Sequence, residues 1–255
     1  MSDNQSSGLQ ENFITHLVEL RTRLVRASVV VLGVFILLFT VWPGSAAVYD
    51  FVAQPMMASL PEGAKMIATG VITPFMVPMK VTMMLAVMIC LPWVLYQTWA
   101  FVAPGLYRHE KRLVAPLVIS SSVLFLAGVA FCYFIVFGTV FRFINDFAPK
   151  SISVAPDIEN YLDFILTMCL AFGLTFEVPV VVVVLVRMGL VTVEKLKSIR
   201  PYVIVGAFVI AAIVTPPDVM SQLFLAIPLC LLYEIGLLVA PMFKKATEAP
   251  DEQPS

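Results

Sequence analysis

The chain has 255 residues, of which 60% are hydrophobic and 13% are charged. Soluble domains carry about 25% charged residues, so this composition excludes an ordinary soluble domain and indicates a protein that crosses a membrane several times. The formal net charge of −1 identifies no class of partner. Four cysteines lie inside apolar runs without the spacing of a metal site or of a disulfide framework. They are Cys90, Cys132, Cys169 and Cys230.

The N-terminal segment, residues 1–23, is polar, and we predict that it is cytoplasmic and contains an amphipathic helix. Glu19 and Arg23 are four residues apart, so their side chains can pair on such a helix. The apolar run that follows, Leu24–Trp42, is longer than the roughly 7–15 residues of a signal-peptide core. We therefore interpret this run as a retained first membrane span.

The next part of the chain, residues 24–241, is predicted to be an all-α membrane domain with six transmembrane helices, because a span needs about 20 apolar residues. The last two spans are short and are joined by the sequence Thr-Pro-Pro-Asp at 215–218, which cannot continue a helix and predicts a hairpin. Residues 242–255 are polar and are predicted to be a disordered cytoplasmic tail. The six predicted spans are Leu24–Trp42, Phe75–Val102, Leu113–Phe137, Tyr161–Met188, Tyr202–Val214 and Val219–Ala240.

The basic residues predict how these spans are oriented. With the N-terminus inside, twelve lysines and arginines fall on inner segments and three on outer loops. Because basic residues concentrate on the cytoplasmic side, both termini are predicted to be cytoplasmic. Lys80 lies near the outer end of the second span, from where its side chain can extend outward. The inner set is Arg21, Arg23, Arg26, Arg108, Lys111, Arg112, Arg187, Lys195, Lys197, Arg200, Lys244 and Lys245, and the outer set is Lys65, Arg142 and Lys150.

Prolines occur within or beside every predicted span except the first. Each interior proline removes a backbone hydrogen bond and bends its helix. We therefore predict a bent, concave bundle instead of a straight one. The prolines are Pro78, Pro92, Pro116, Pro179, Pro201 and Pro228.

Two carboxylates, Glu19 and Glu110, fall on the predicted cytoplasmic side. Glu19 either forms a surface ion pair with Arg23 or binds a partner. Glu110 lies in a basic loop, where it either offsets neighbouring charges at a helix start or accepts an incoming guanidinium group. The planar guanidinium group pairs with a carboxylate through two hydrogen bonds, which the ammonium group of lysine does not match.

A third acid, Glu177, lies within the fourth span, ten residues before Arg187 and so about 15 Å from the inner boundary. A carboxylate at this depth is unfavourable unless it is protonated, paired or hydrated. Glu177 either hydrogen-bonds within the bundle, for example to a carbonyl freed by Pro179, or lines a polar cavity. At the start of the sixth span, Asp218 is predicted to cap the helix. Gln222 is predicted to hydrogen-bond to another helix, of this chain or of a partner.

The sequence carries no signature of catalysis. Neither His-Glu-x-x-His, nor Gly-x-Ser-x-Gly, nor a phosphate-binding glycine-rich loop occurs. His16 and His109 are far apart and show no metal-ligand pattern. We therefore predict a protein without enzymatic activity, cofactor or metal, and the same reasoning disfavours an intramembrane hydrolase. A proton-coupled small-solute transporter that uses Glu177 is the alternative function.

Five stretches together resemble the TatC family, the multispanning receptor subunit of the twin-arginine protein translocase. The resemblance extends over roughly residues 11–241, nearly the whole chain. The stretches are 16–23 (HLVELRTR), 96–112 (YQTWAFVAPGLYRHEKR), 172–180 (FGLTFEVPV), 200–202 (RPY) and 215–218 (TPPD).

The resemblance implies a concave six-helix fold that binds signal peptides carrying paired arginines. It also implies an inner-membrane complex, containing several copies and TatA-type and TatB-type single-span partners, that exports folded proteins with the proton-motive force. No nucleic-acid partner is implied. The implied site residues are Glu19, Arg21, Phe101 and Glu110 for the signal peptide, Glu177 as the polar intramembrane residue, and Gln222 and Asp218 for docking of partner helices.

Overall fold

The structure is a computed structural model, and it describes residues 3–40, 44–58, 66–102, 114–147, 156–215 and 219–243. The regular elements within these ranges are helical, which confirms the all-α prediction. A π-helical segment, Cys132–Val136, joins α5 to α6, and a 3₁₀ turn, Ala240–Phe243, follows α11. The helices are α1 (Asp3–Thr40), α2 (Ser45–Met57), α3 (Thr73–Ile89), α4 (Leu91–Val102), α5 (Val114–Phe131), α6 (Phe137–Phe147), α7 (Ile158–Phe176), α8 (Val178–Arg187), α9 (Val193–Ser198), α10 (Arg200–Val214) and α11 (Val219–Val239).

Several helical stretches are long and apolar enough to cross a membrane. The pair α3 and α4 adds one more if it counts as a single bent span, and α10, with 15 residues, is shorter than a straight crossing requires. The count of six spans and the location of both termini therefore stay predictions. The helix α1 continues without a break through the predicted domain boundary at residue 23. The four crossing stretches found in the described ranges are Leu17–Thr40, Ala115–Phe143, Ile158–Arg187 and Val219–Met242.

The second and fourth predicted spans are interrupted where a proline occupies the first turn of a new helix. The axes of α3 and α4 differ by 58°, and Pro92 is the second residue of α4. A second break follows Glu177, with Pro179 in the first turn of α8. A proline is tolerated in a first turn, where its missing N–H has no helical partner. Pro78 and Pro228, by contrast, lie inside the continuous helices α3 and α11.

Helix α2 is held against the ends of two spans by tyrosine hydroxyl groups. The Tyr133 hydroxyl, in the π-helical segment, donates to the carbonyl of Phe51 at 2.7 Å. The Tyr161 hydroxyl, on α7, donates to the carbonyl of Val52 at 3.3 Å. The rings of Tyr133 and Phe51 also stack, with centroids 5.4 Å apart. The two hydroxyl groups therefore fix α2 to the spans that contain α5 and α7.

The same end of the bundle contains a backbone bridge and an ion cluster. Ile67 and Ile158 are joined by a hydrogen bond of 2.9 Å from the Ile158 N–H to the Ile67 carbonyl. The Lys80 ammonium group lies 2.8 Å from the Asp163 carboxylate and 3.5 Å from that of Glu159. Lys80 was predicted to extend outward from the second span, and its side chain, 36% exposed, pairs with two acids on α7.

Helix α7 lies at the centre of the packing, whereas α1 lies at its edge. In the most apolar window of Ile158–Arg187, 56% of the residues are buried, compared with 6% for Leu17–Thr40. Phe172 and Leu162 on α7 are fully enclosed. The exposed side chains of α1 are mostly apolar, as contact with lipid tails requires. The break after α7 therefore lies in an enclosed part of the protein.

Candidate functional site

Many basic side chains lie at one end of the helices, which we call the basic end. The ends of α4 and α8 and the start of α5 meet there in an apolar cluster around Trp99. The end of α11 lies at the same end of the bundle. There the Tyr233 hydroxyl of α11 donates to the Leu196 carbonyl of α9 at 2.9 Å. Arg200 Nη2, at the start of α10, lies 2.6 Å from Glu234 Oε2 of α11. The start of α1 belongs to the same end, because α1 packs against α4. The basic residues of this end in the described ranges are Arg21, Arg23, Arg26, Arg187, Lys195, Lys197 and Arg200.

Glu19 pairs with Arg23 in the polar part of α1. Arg23 donates from Nε at 3.0 Å and from Nη2 at 2.5 Å, and both bonds go to Glu19 Oε1. The predicted pair is therefore confirmed. About a third of the Glu19 side chain, 34%, is exposed, and Arg21 is exposed on the same helix. Because a surface ion pair contributes about 0–1 kcal/mol, a guanidinium group of a partner can compete with Arg23 for this carboxylate.

Phe101 lies at a similar level to Glu19 along the helices. The Cys90 thiol, in the residue between α3 and α4, is 3.9 Å from the carbonyl oxygen of Val30 on α1. Glu19 precedes Val30 by eleven residues and Phe101 follows Cys90 by eleven, so each lies roughly 16 Å from that contact along its helix. Glu110 lies in residues 103–113, outside the described residues. The helices α4 and α5 that flank this segment both reach the basic end.

Glu177 is buried at the break between α7 and α8, with 8% of its surface exposed. Its backbone is satisfied, because its N–H donates to the Leu174 carbonyl at 3.1 Å and its carbonyl accepts from Val181 at 3.0 Å. Neither carboxyl oxygen meets hydrogen-bond geometry with a residue in the described ranges. The suggested bond to a carbonyl freed by Pro179 is therefore not formed. A buried acceptor without a partner is unfavourable by about 1–3 kcal/mol.

A buried hydrogen bond that the sequence analysis missed lies beside this acid. Trp99 Nε1 on α4 donates to Ser121 Oγ on α5 at 2.9 Å, and both side chains are buried. The Ser121 hydroxyl also interacts electrostatically with the Glu177 carboxyl group, although that contact falls outside hydrogen-bond geometry. The available signals were a tryptophan beside Phe101 and three consecutive serines within an apolar run, but nothing in the sequence connected them.

The predicted helix–helix hydrogen bond of Gln222 forms within this chain. Its Nε2 donates to the Phe208 carbonyl at 3.2 Å and so joins α11 to α10. The carbonyl oxygen of the Gln222 amide can still accept a bond from elsewhere. Tyr202 and Ile213, on α10, are each 78% exposed and present an apolar surface. Asp218 lies outside the described residues.

These features define a class of protein. The chain is a multispanning helical membrane protein with a carboxylate-bearing basic end and a buried acid within a span. Among the described residues, no three His, Cys, Asp or Glu side chains are grouped so as to hold a metal ion.

Comparisons with known proteins identify the family. The family described as "Sec-independent protein translocase protein (TatC)" matches residues 15–228. Relatives of that name from Haemophilus influenzae and Escherichia coli K12 are 52% and 46% identical, over 91% and 90% of this chain and 89% and 88% of the relatives. A solved structure described as "Crystal Structure of Twin Arginine Translocase Receptor- TatC" has a TM-score of 0.79 and 37% identity, and the match covers 89% of this chain and 99% of that one. The chain belongs to the TatC family.

Family membership confirms the resemblance read from the sequence motifs. Proteins of this family are translocase subunits of the inner membrane and are not enzymes, in agreement with the prediction of no catalytic activity. The comparisons support the translocase function and do not support the alternative of a small-solute transporter.

Proposed function

We propose that the chain is the receptor for twin-arginine signal peptides and the core subunit of a translocase that exports folded proteins with the proton-motive force. Membership of the TatC family carries this proposal. The similar level of Glu19 and Phe101, beside the segment that contains Glu110, supports the location of the signal-binding surface. The basic end faces the cytoplasm, with both termini and six spans arranged as the basic residues predict.

The paired arginines of the signal bind to carboxylates in a surface that is otherwise basic. Glu110 is the main acid that binds the signal, and Glu19 is the second. Glu19 is paired with Arg23, so the signal's arginine either displaces Arg23 or shares the Glu19 carboxylate with it. Arg21 adds positive charge around these two carboxylates. The surface therefore repels the signal's arginines except where a carboxylate neutralises them. Phe101 offers an aromatic face to a guanidinium group. A bidentate carboxylate pair also discriminates arginine from lysine.

The apolar run of the signal lies along a groove between α1, α3, α5 and α7. This groove has a volume of about 510 Å³ and an almost wholly apolar lining. Methionine side chains are unbranched and flexible, so they adapt to apolar segments of different shape. The methionines of α3 that line the groove are Met79, Met83, Met84 and Met88.

The α10–α11 hairpin docks the single-span partners of TatA-type and TatB-type. The exposed apolar residues of α10 supply the contact area, and the Gln222 carbonyl oxygen, which accepts no bond from the described residues, offers a polar contact within the membrane. Asp218 directly precedes α11 in the sequence, and we propose that it takes part in this docking. Several copies of the chain assemble in the complex.

The test of the signal-binding surface is co-purification of a twin-arginine precursor with Glu19→Gln, Glu110→Gln and Arg23→Gln variants. Loss of either carboxylate is expected to weaken precursor binding roughly tenfold or more, since hydrogen bonds to charged groups contribute about 1.5–3 kcal/mol. Arg23→Gln is expected to retain or strengthen binding, because it removes the internal competitor for Glu19.

The matched control is Glu194→Gln, which removes an exposed acid at the same end on α9. Binding by this variant is expected to equal that of the unmodified chain. Full precursor binding by both Glu19→Gln and Glu110→Gln would show that these acids serve only the chain's own bases.

A further inference from the structure

We propose that the hydrogen bond from Trp99 to Ser121 couples the end of α4 to Glu177, with Ser121 as the positioning residue for the buried carboxyl group. The inference rests on the proposed function, because it takes the signal peptide to bind beside the end of α4. It adds a physical connection between that surface and the acid within the membrane.

The first observation concerns the hydroxyl hydrogen of Ser121. The neighbouring serines donate their hydroxyl hydrogens to carbonyls of their own helix, Ser120 to Leu117 at 3.0 Å and Ser122 to Val118 at 2.7 Å. Ser121 instead accepts a hydrogen bond from the Trp99 indole. Accepting this bond uses a lone pair of the Ser121 oxygen and leaves the hydroxyl hydrogen unused. Its own O–H therefore stays available as a donor within a fully buried site.

The second observation concerns the acceptor. The Glu177 carboxyl group is buried and interacts with the Ser121 hydroxyl, yet neither of its oxygens has a hydrogen-bond partner among the described residues. Completing the bond requires the Ser121 hydroxyl to reorient toward the carboxyl group, by its own rotation or by movement of α5 against the α7–α8 break. Because a donor that also accepts a hydrogen bond is polarised, Trp99 strengthens the bond that Ser121 offers to Glu177.

The third observation is the position of Trp99 in the chain. It stands on the last turn of α4, two residues before Phe101. Its ring also packs with Val180 and Val184 of α8, the helix that begins after Glu177. A displacement of the end of α4 therefore reaches the acid by two routes, through Ser121 and through the start of α8.

These contacts describe a switch with two arrangements. In the structure, Ser121 is bonded to Trp99 and does not complete its bond to Glu177. In the second arrangement, a bound signal peptide has moved the end of α4, and the Ser121 hydroxyl is bonded to the carboxyl group. The peptide favours the second arrangement only if it binds that arrangement more tightly, as any ligand-driven change requires.

The experiment measures the carboxyl stretching band of Glu177 by infrared difference spectroscopy on the full chain in its native complex, with and without a synthetic twin-arginine signal peptide. The band is assigned by its loss in Glu177→Gln. In the unmodified chain, the peptide is expected to shift this band. Trp99→Phe keeps an aromatic ring and removes the indole donor, and Ser121→Ala removes the hydroxyl. Both variants are expected to bind the peptide at saturating concentration and to lose the shift, although loss of the coupling also changes their affinity for the peptide.

The control is Trp93→Phe, which makes the same substitution at an exposed position of the same helix. Its band is expected to shift as in the unmodified chain, which separates the hydrogen bond from general effects of losing an indole. Should Trp99→Phe fail to fold, Ser121→Ala interrupts the same connection. An unaltered shift in either variant, or no shift in an unmodified chain that binds the peptide, overturns the coupling alone. Absence of peptide binding to the unmodified chain would instead contradict the proposed function.

Discussion

Gly128 sets the separation of α5 from α7, and its substitution by alanine gives a quantitative test of that packing. A Cβ added at Gly128 would lie 2.6 Å from the Phe172 carbonyl oxygen and 2.9 Å from the Phe176 ring. Ordinary contacts between such atoms are about 3.5–4.0 Å, so the two helices must separate. The rigid partner atom is a backbone oxygen of a buried helix, which cannot rotate away.

The control for this prediction is Gly138→Ala, because a Cβ at Gly138 meets no atom within 4 Å. Alanine is favoured over glycine in a helix by about 1 kcal/mol, and this gain applies to both positions. The difference between the two variants therefore isolates the clash, for which overpacking predicts about 1–3 kcal/mol of destabilisation. Gly128 lies seven residues after Ser121 and on the same face of α5, so the variant is also expected to move Ser121 away from Glu177 and to reduce transport.

The assay is the free energy of unfolding of the purified chain in mixed micelles, followed by circular dichroism as the denaturing detergent is increased. Gly128→Ala is expected to unfold at a lower detergent fraction than Gly138→Ala. A difference below about 0.5 kcal/mol, the range of ordinary surface substitutions, would refute the close approach of α5 and α7.

A tyrosine hydroxyl, a helix cap and the buried acid can each be tested by a single substitution. Tyr133→Phe removes the hydroxyl bond to the Phe51 carbonyl, so it is expected to lose about 0.5–1.5 kcal/mol of stability and to make α2 easier to cleave in limited proteolysis; an unchanged cleavage rate would contradict it. Thr192→Ala removes the side-chain cap that accepts from the Lys195 N–H at 3.2 Å, so a loss of about 0.5–2 kcal/mol is expected, whereas Thr192→Ser should retain the cap. Glu177→Gln keeps a polar side chain without the charge or the acidic proton, so transport into membrane vesicles is expected to fall while precursor binding persists. Transport at the unmodified rate would show that a polar side chain suffices at Glu177.

Local features of the fold were predictable because they depend on short spacings. The apolar runs located the helices, and the spacing of four residues predicted the pair between Glu19 and Arg23. The motif beside Phe101 and the stretch around Glu177 indicated the family. An apolar run of about 20 residues is as long as a membrane-spanning helix, so its length alone indicates a helix.

Contacts between distant parts of the chain were not predictable in the same way. Trp99 and Ser121 are 22 residues apart, and Lys80 and Asp163 are 83 apart, so each pair depends on how the helices pack. Proline content predicted bending, but Pro92 marks a break whereas Pro78 lies in a continuous helix. The difference follows from position within the helix, which the composition of a run does not specify.

The proposed function depends on carboxylates at the basic end that bind an incoming pair of guanidinium groups. The most direct measurement compares the affinity of the chain, in lipid nanodiscs, for a twin-arginine signal peptide and for the same peptide with paired lysines. We expect a clear preference for the arginine peptide, and we expect the preference to disappear in the Glu19→Gln, Glu110→Gln double variant because bidentate pairing is lost. Equal affinity for the two peptides in the unmodified chain, or an undiminished preference in the double variant, would contradict recognition of the signal by these carboxylates.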